Sequence, residues 1–231
     1  MKRNFFISTC CIFLYAASVA QSSTQRIYIK GGNDAWDNFM KEIFLYPSFQ
    51  PGIVEYKNGQ RFKSNMNYNK AVGTVEFIDE KGDTLSMNNE ESISFINING
   101  DKFIYAPMCL QIVKGNEKLA LLKHETVKIA DKHKTGGYGI PNSSGTIESI
   151  DRLDTRGNYN QIEINENLLI NRITTFYIED EKGEIFVASR KNVLNNFPKK
   201  EEAMKSYIKT NNVDFSKEDH LTALLDFLSK N

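Results

Sequence analysis

The chain has 231 residues, with 29 Lys+Arg against 29 Asp+Glu and a formal net charge of +0 at pH 7. That balance, without a basic stripe, excludes the electrostatic footprint of a nucleic-acid binder. Hydrophobic residues make up 40% and aromatic residues 11%, enough apolar mass for a true core in one domain or two.

In chain order, residues 1–20 read as a signal peptide. Lys2 and Arg3 form a basic start, Phe5 to Ala17 an apolar run broken only by Ser8 and Thr9, and Ser18-Val19-Ala20 a small-residue cleavage site. The run is shorter than the roughly 20 residues a helix needs to cross a bilayer. Cys10 follows Thr9 and lies too early for a lipid-acceptor cysteine. Cleavage after Ala20 would remove two basic residues and no acidic one, so 27 Lys+Arg would face 29 Asp+Glu, a net charge of −2. Cys10 and Cys11 would leave too, and Cys109 alone permits no intramolecular disulfide. Cys109 stands in the strand-like run Met108 to Val113, where a small buried hydrophobe is expected rather than a nucleophile.

Residues 21–188 are expected to form a β-rich body. Four tight-turn signals divide residues 52–123 into short strands: Lys57-Asn58-Gly59-Gln60, Glu80-Lys81-Gly82-Asp83, Ile98-Asn99-Gly100-Asp101 and Lys114-Gly115-Asn116-Glu117. Between them the pattern alternates. Val75 and Phe77 are expected on one face and Thr74 and Glu76 on the other; Ile93 with Phe95, opposite Ser92 and Ser94, repeats this, and Phe103 and Tyr105 follow. Phe77 to Asp83 has a near echo in Tyr177 to Glu184, which reads as recurring hairpin chemistry rather than a solenoid repeat. Phe44, Tyr46, Phe49 and Tyr56, interrupted by Pro47 and Pro51, are expected to plug one end of the sheet, an exposed partner patch being the alternative.

Residues 131–160 are polar and hold Gly136, Gly137, Gly139, Gly145 and Gly157, which predicts a long loop with a short strand around 146–150. From residue 189 the period changes to helical. Ser189 caps a helix bearing Val193, Leu194 and Phe197 that ends at Pro198; Met204, Tyr207 and Ile208 mark a second; Ser216 to Asp219 resembles a capping box before Leu221, Leu224, Leu225 and Leu228. The predicted fold is α+β: mainly an antiparallel β-meander, open or curled into a half-barrel, with two or three C-terminal helices (residues 189–231) packed on it and sharing its core.

Tyr46-Pro47-Ser48-Phe49 with Gly52, Met66-Asn67-Tyr68-Asn69 and Val75-Glu76-Phe77 match the rhythm of a group of exported bacterial proteins of unknown function. Lys191-Asn192-Val193-Leu194 with Phe197-Pro198, then Tyr207-Ile208-Lys209 and Asp214-Phe215, resemble that group's C-terminal region. The resemblance implies an envelope or secreted setting and a β-rich body. It brings no catalytic residues.

No motif carries specific chemistry. Asp131 and His133 share a strand face, but with only His124 and His220 besides, there is no HExxH, Cys-His or EF-hand spacing, and no metal or other cofactor is expected. Ser143 and Ser144 lack a nucleophile elbow and read as part of a turn. Pairing Glu163 with Glu166, or Asp151 with Asp154, as a glycosidase dyad would be an arbitrary choice among 29 acids. Gly136-Gly137-Tyr138-Gly139 lacks the Gly-Lys-Ser/Thr ending of a phosphate loop; flexible backbone around an aromatic suits contact with a sugar, peptide or lipid, so Gly136, Gly137, Tyr138 and Gly139 are the candidate binding loop, weighed against an unstructured loop with an incidental Tyr.

The leading expectation is an exported, non-catalytic binding or assembly protein of the periplasm or the secreted fraction. Its partner would be an envelope protein, glycan or lipid, with no transmembrane span in the mature chain. Two alternatives stay open: a small-molecule or lipid carrier using a concave sheet face, which a continuous apolar cavity would favour and a solid core would oppose, and a hydrolase whose catalytic residues are dispersed along the sequence.

Overall fold

The computed structural model describes residues 22–116, 118–135, 141–143, 164 and 167–230. The leader at 1–20, the strand expected around 146–150 and Gly136 to Gly139 lie outside the described residues.

The fold is α+β, as the alternation and the late change of period predict. The strands are β1 (Ser22–Ile29), β2 (Gln50–Tyr56), β3 (Arg61–Asn69), β4 (Thr74–Ile78), β5 (Thr84–Ser86), β6 (Ile93–Ile98), β7 (Asp101–Tyr105), β8 (Cys109–Gly115), β9 (Ala120–Thr135), β10 (Pro141–Ser143), β11 (Asn167–Glu179) and β12 (Ile185–Val187). The helices are α1 (Ala35–Ile43), α2 (Arg190–Asn196), α3 (Glu201–Thr210) and α4 (Glu218–Lys230). The strands form one antiparallel sheet in the order β1-β11-β9-β8-β7-β6-β2-β3-β4-β5, with β10 on β9 and β12 on β11. The sheet does not close, but it rolls. Lys70, just past β3, accepts a hydrogen bond from Val127 N of β9 at 3.0 Å, bridging strands that four others separate in the sheet.

The turns form for the reasons their residues suggest. Asn99 and Gly100 both take positive φ (51° and 96°), the backbone of a two-residue hairpin turn, between β6 and β7. The two echoing segments share one arrangement. Asp79 Oδ1 accepts from the amides of Lys81 and Asp83, and Asp180 Oδ1 from those of Lys182 and Glu184, all at 2.9 Å. Gly82 and Gly183 then take positive φ two residues before their second strands.

Inside the roll, Val54, Met66, Ile96, Ile98 and Phe103 are fully buried, and Tyr68 stacks on Phe103 with centroids 5.7 Å apart. Gly52 has no room for a side chain, because a Cβ there would stand 2.7 Å from the Met66 sulfur. A second core lies under the C-terminal helices. Leu121, Phe176 and Ile178 of the sheet meet Val193, Met204, Ile208, Leu221, Leu224, Leu225 and Leu228, so helices and sheet share apolar contacts. A third core gathers Ala35, Phe39 and Ile43 of α1 against Ile29, Val127, Leu168 and Ile170.

Three local expectations are corrected. The register between β2 and β6 shifts, pairing Glu55 with Phe95 but Tyr56 with Ile93, and this bulge breaks the alternation at Ser94. Ile93, Ile96 and Ile98 therefore enter the core, while Phe95 is half-buried with Lys102 Nζ 4.3 Å over its ring. The second face of β4 is covered rather than solvated: Thr74 and Glu76 are both buried, and Glu76 Oε1 accepts from Asn69 Nδ2 at 2.9 Å. Ser216 donates its hydroxyl to Asp214 Oδ1 at 2.6 Å instead of completing a capping box, and α4 starts from the Lys217 carbonyl, which accepts from Leu221 N. The Ser189 cap forms, its hydroxyl accepting from Asn192 N at 3.3 Å.

Candidate functional site

Two polar constellations stand out. The first is a partly buried ion network at the seam of the roll, with Lys70 at its centre. Lys70 is 4% exposed and its Nζ lies 3.3 Å from Glu125 Oε1. Arg172 Nε lies 3.7 Å from the same oxygen, within ion-pair reach but too long for a hydrogen bond, and Arg172 Nη2 pairs closely with Glu42 of α1. Two cations thus face two carboxylates. Burial pushes the Lys70 ammonium below its ordinary pKa, and the Glu125 carboxylate opposes that shift. Backbone bonds close the site on both sides: Lys70 N donates to the Ile43 carbonyl at 2.7 Å, and the Lys70 carbonyl accepts from Val127. The amine is buried and engaged, and the network acts as a clasp joining the end of β3, β9, β11 and α1.

The second constellation is open. Past β5 the chain continues through residues 87–92 and faces the turn at Pro107–Cys109, leaving a groove of about 880 Å³. Val72, Phe77, Leu85, Met87 and Met108 give it apolar walls, with Val72 43% and Leu85 37% exposed. A depression of about 650 Å³ along Met87 to Ser92 shares Met87, Asn88 and Glu90 with the groove and extends it. Local chemistry builds this opening. β5 has only three residues and ends the sheet, so among the described residues no strand covers its outer edge. Met87 N donates inward to the Val75 carbonyl at 2.9 Å. By strand alternation the backbone polar groups of Thr84 and Ser86 then face away from β4.

The groove floor is a hydrogen-bonded set. Thr74 Oγ1 lies 3.1 Å from the Tyr105 hydroxyl and 3.4 Å from Glu90 Oε1, and Val75 N donates to Tyr105 Oη at 3.4 Å. Burial, reinforced by neighbouring charge, pushes the Tyr105 hydroxyl above its ordinary pKa. Cys109 is 1% exposed, and burial pushes its thiol up to about 12, so it stays protonated and unreactive at neutral pH. Glu90 is the charge beside these neutral groups: half-buried, with Thr74 as its hydrogen-bond donor and no described cation within ion-pair distance.

The structure distributes the sequence candidates widely. His124 Nδ1 lies 3.1 Å from the Cys109 carbonyl oxygen, to which it donates. His220 Nδ1 accepts from Asp214 N at 3.0 Å, so both rings are held by the chain's own backbone. His133 and Ser143 are register partners of β9 and β10, which places Ser143 in a short strand rather than in a turn. Gly136, Gly137, Tyr138, Gly139, Ser144, Asp151, Asp154, Glu163 and Glu166 lie outside the described residues. Among the described residues no three His, Cys, Asp or Glu side chains group as a metal site. Phe44 and Phe49 pack with centroids 5.5 Å apart in the core beneath α1, while Tyr46 donates to Asp101 Oδ2 at 2.6 Å. The sequence reading missed the groove, because its walls come from four separate segments. Exposed Val72 and Leu85 beside turn residues were the available signal.

Comparison of the chain with known protein families, with curated proteins and with solved structures finds no match in any of the three. Among the described residues no helix is long and apolar enough to cross a membrane.

Proposed function

We propose that this is an exported, non-catalytic binding protein of the cell envelope, and that the groove beside β5 is where it engages its partner. The groove carries this reading: an open trough with apolar walls and a few directed polar groups suits recognition. Its floor supports binding over catalysis, because the one thiol there is buried and protonated. The filled interior of the roll, with Met66, Ile96 and Phe103 at 0% exposure, speaks against a carrier that uses the concave face. The envelope setting rests on the basic-apolar-small pattern of residues 1–20 and on the resemblance to exported bacterial proteins.

Site-specific photocrosslinking in cells tests both parts. A photoreactive residue at Val72, in the groove, is expected to give discrete adducts in the envelope fraction, on a chain whose mass lacks residues 1–20. The same residue at Ile53, 36% exposed and outside the groove, is the control and gives none. Equal adducts from both positions would contradict the groove, and an unprocessed cytoplasmic chain would contradict the setting.

A further inference from the structure

The groove's charge pattern narrows its ligand. Of the described residues lining the groove and its extension, only Glu90 and Glu91 carry a formal charge, and both are negative. Glu90 lies inside, its carboxylate against Thr74 with Tyr105 and Cys109 close by; Glu91 is exposed at the rim. A phosphate or carboxylate ligand would meet like charge and, among the described lining residues, no cation. A purely apolar ligand would leave a half-buried carboxylate further desolvated and unpaired, which is costly. A cation on an aliphatic stem fits both features, its methylenes along Met87 and Met108 and its charge at Glu90.

Shape and edge favour a polypeptide over a small amine. The trough is lined by Leu85 and Ser86 of β5, the last strand of the sheet, whose free edge carries the outward backbone polar groups of Thr84 and Ser86, and it continues along residues 87–92. Such an edge accepts the backbone of an extended chain, while the groove takes alternate side chains. Resting on the reading of the groove as the binding site, we propose that it binds an extended polypeptide segment of another protein through a lysine or arginine side chain, with Glu90 as the specificity-determining counter-ion.

The test uses three probes: acetyl-Val-Thr-Lys-Thr-Val-amide, whose Val, Lys and Val share one face when extended, and its norleucine and glutamate analogues. Binding to the full mature chain is followed by NMR of methionine methyl groups labelled with carbon-13. Met108 and Met87, the latter also a member of the roll's core, report on the groove, and Met66 deeper in that core and Met204 under the helices serve as internal references. The lysine peptide is expected to shift Met87 and Met108 only. It should bind about fivefold more tightly than the norleucine analogue, the scale of a part-exposed ion pair, and more tightly still than the glutamate analogue. Glu90→Gln should erase the difference between lysine and norleucine, whereas Glu91→Gln should keep it; unchanged Met66 and Met204 signals verify that both variants are folded. Equal binding of all three peptides, with groove shifts, overturns the counter-ion role and leaves the groove standing. No shift at Met87 or Met108 with any peptide overturns both. Spermidine binding as tightly as the lysine peptide, and depending equally on Glu90, overturns the polypeptide assignment.

Discussion

The two ends of the sheet are finished in opposite ways. Where β9 and β11 run beneath α2, α3 and α4, Leu121, Phe176 and Ile178 of the sheet pack into one cluster with the helices, and Met204 and Leu224 reach 0% exposure. At β4 and β5 no α-helix among the described residues packs on the sheet. The last strand is three residues long, Val72 and Leu85 stay in solvent, and the chain curls into residues 87–92 around a half-buried carboxylate. A short edge strand resists unwanted pairing. Of the apolar walls there, Met87 and Phe77 also pack into the core of the roll, whereas Val72 and Leu85 remain partly exposed, which makes this end the part of the molecule suited to a ligand. The helical end contributes stability and the β5 end contributes a surface.

Substitutions should separate the two ends by size of effect. Leu224→Ala opens a cavity in the helical core and is expected to cost about 3 kcal/mol in denaturant unfolding. Lys70→Met, at the seam between the ends, removes one cation from a balanced four-charge network and should cost about 2 kcal/mol. Adding Glu125→Gln to it should recover part of that loss, a coupling that a double-mutant cycle measures. Ser189→Ala deletes the α2 cap and should cost about 1 kcal/mol. Leu85→Ala, in the groove, should change stability by no more than about 0.5 kcal/mol while weakening the Val-Thr-Lys-Thr-Val peptide. A loss at Leu85 as large as that at Leu224 would break the distinction.

Much of this architecture was legible in the sequence, and the parts that were not share a cause. Turns built from local chemistry, such as Asn99-Gly100 or the paired Asp79 and Asp180 loops, declare themselves within four or five residues. So does the heptad-like Leu221, Leu224, Leu225 and Leu228 face of α4. Helix α1 went unread although Ala35, Phe39 and Ile43 fall at i, i+4 and i+8, because its nine residues are short for a helical pattern and run straight into a dense aromatic stretch. The burial of Glu76 and Lys70 is not declared by the local pattern. Glu76 is met by Asn69 across the β3–β4 hairpin, and Lys70 meets Glu125 and Arg172 only because the sheet rolls β3 onto β9. The groove depends on the same roll and on the Pro107 turn meeting the β5 edge, so no single stretch announces it.

Amide hydrogen exchange, with and without the lysine peptide, tests the contrast between the ends most directly. The backbone of β9 and β11 beneath the helices should exchange only through global unfolding, and residues 86–92 orders of magnitude faster, with peptide slowing exchange at 84–92 and leaving α2 to α4 unchanged. Protection of 84–92 equal to that of β9 in the free protein, or peptide-induced slowing that falls on the C-terminal helices, would contradict the account.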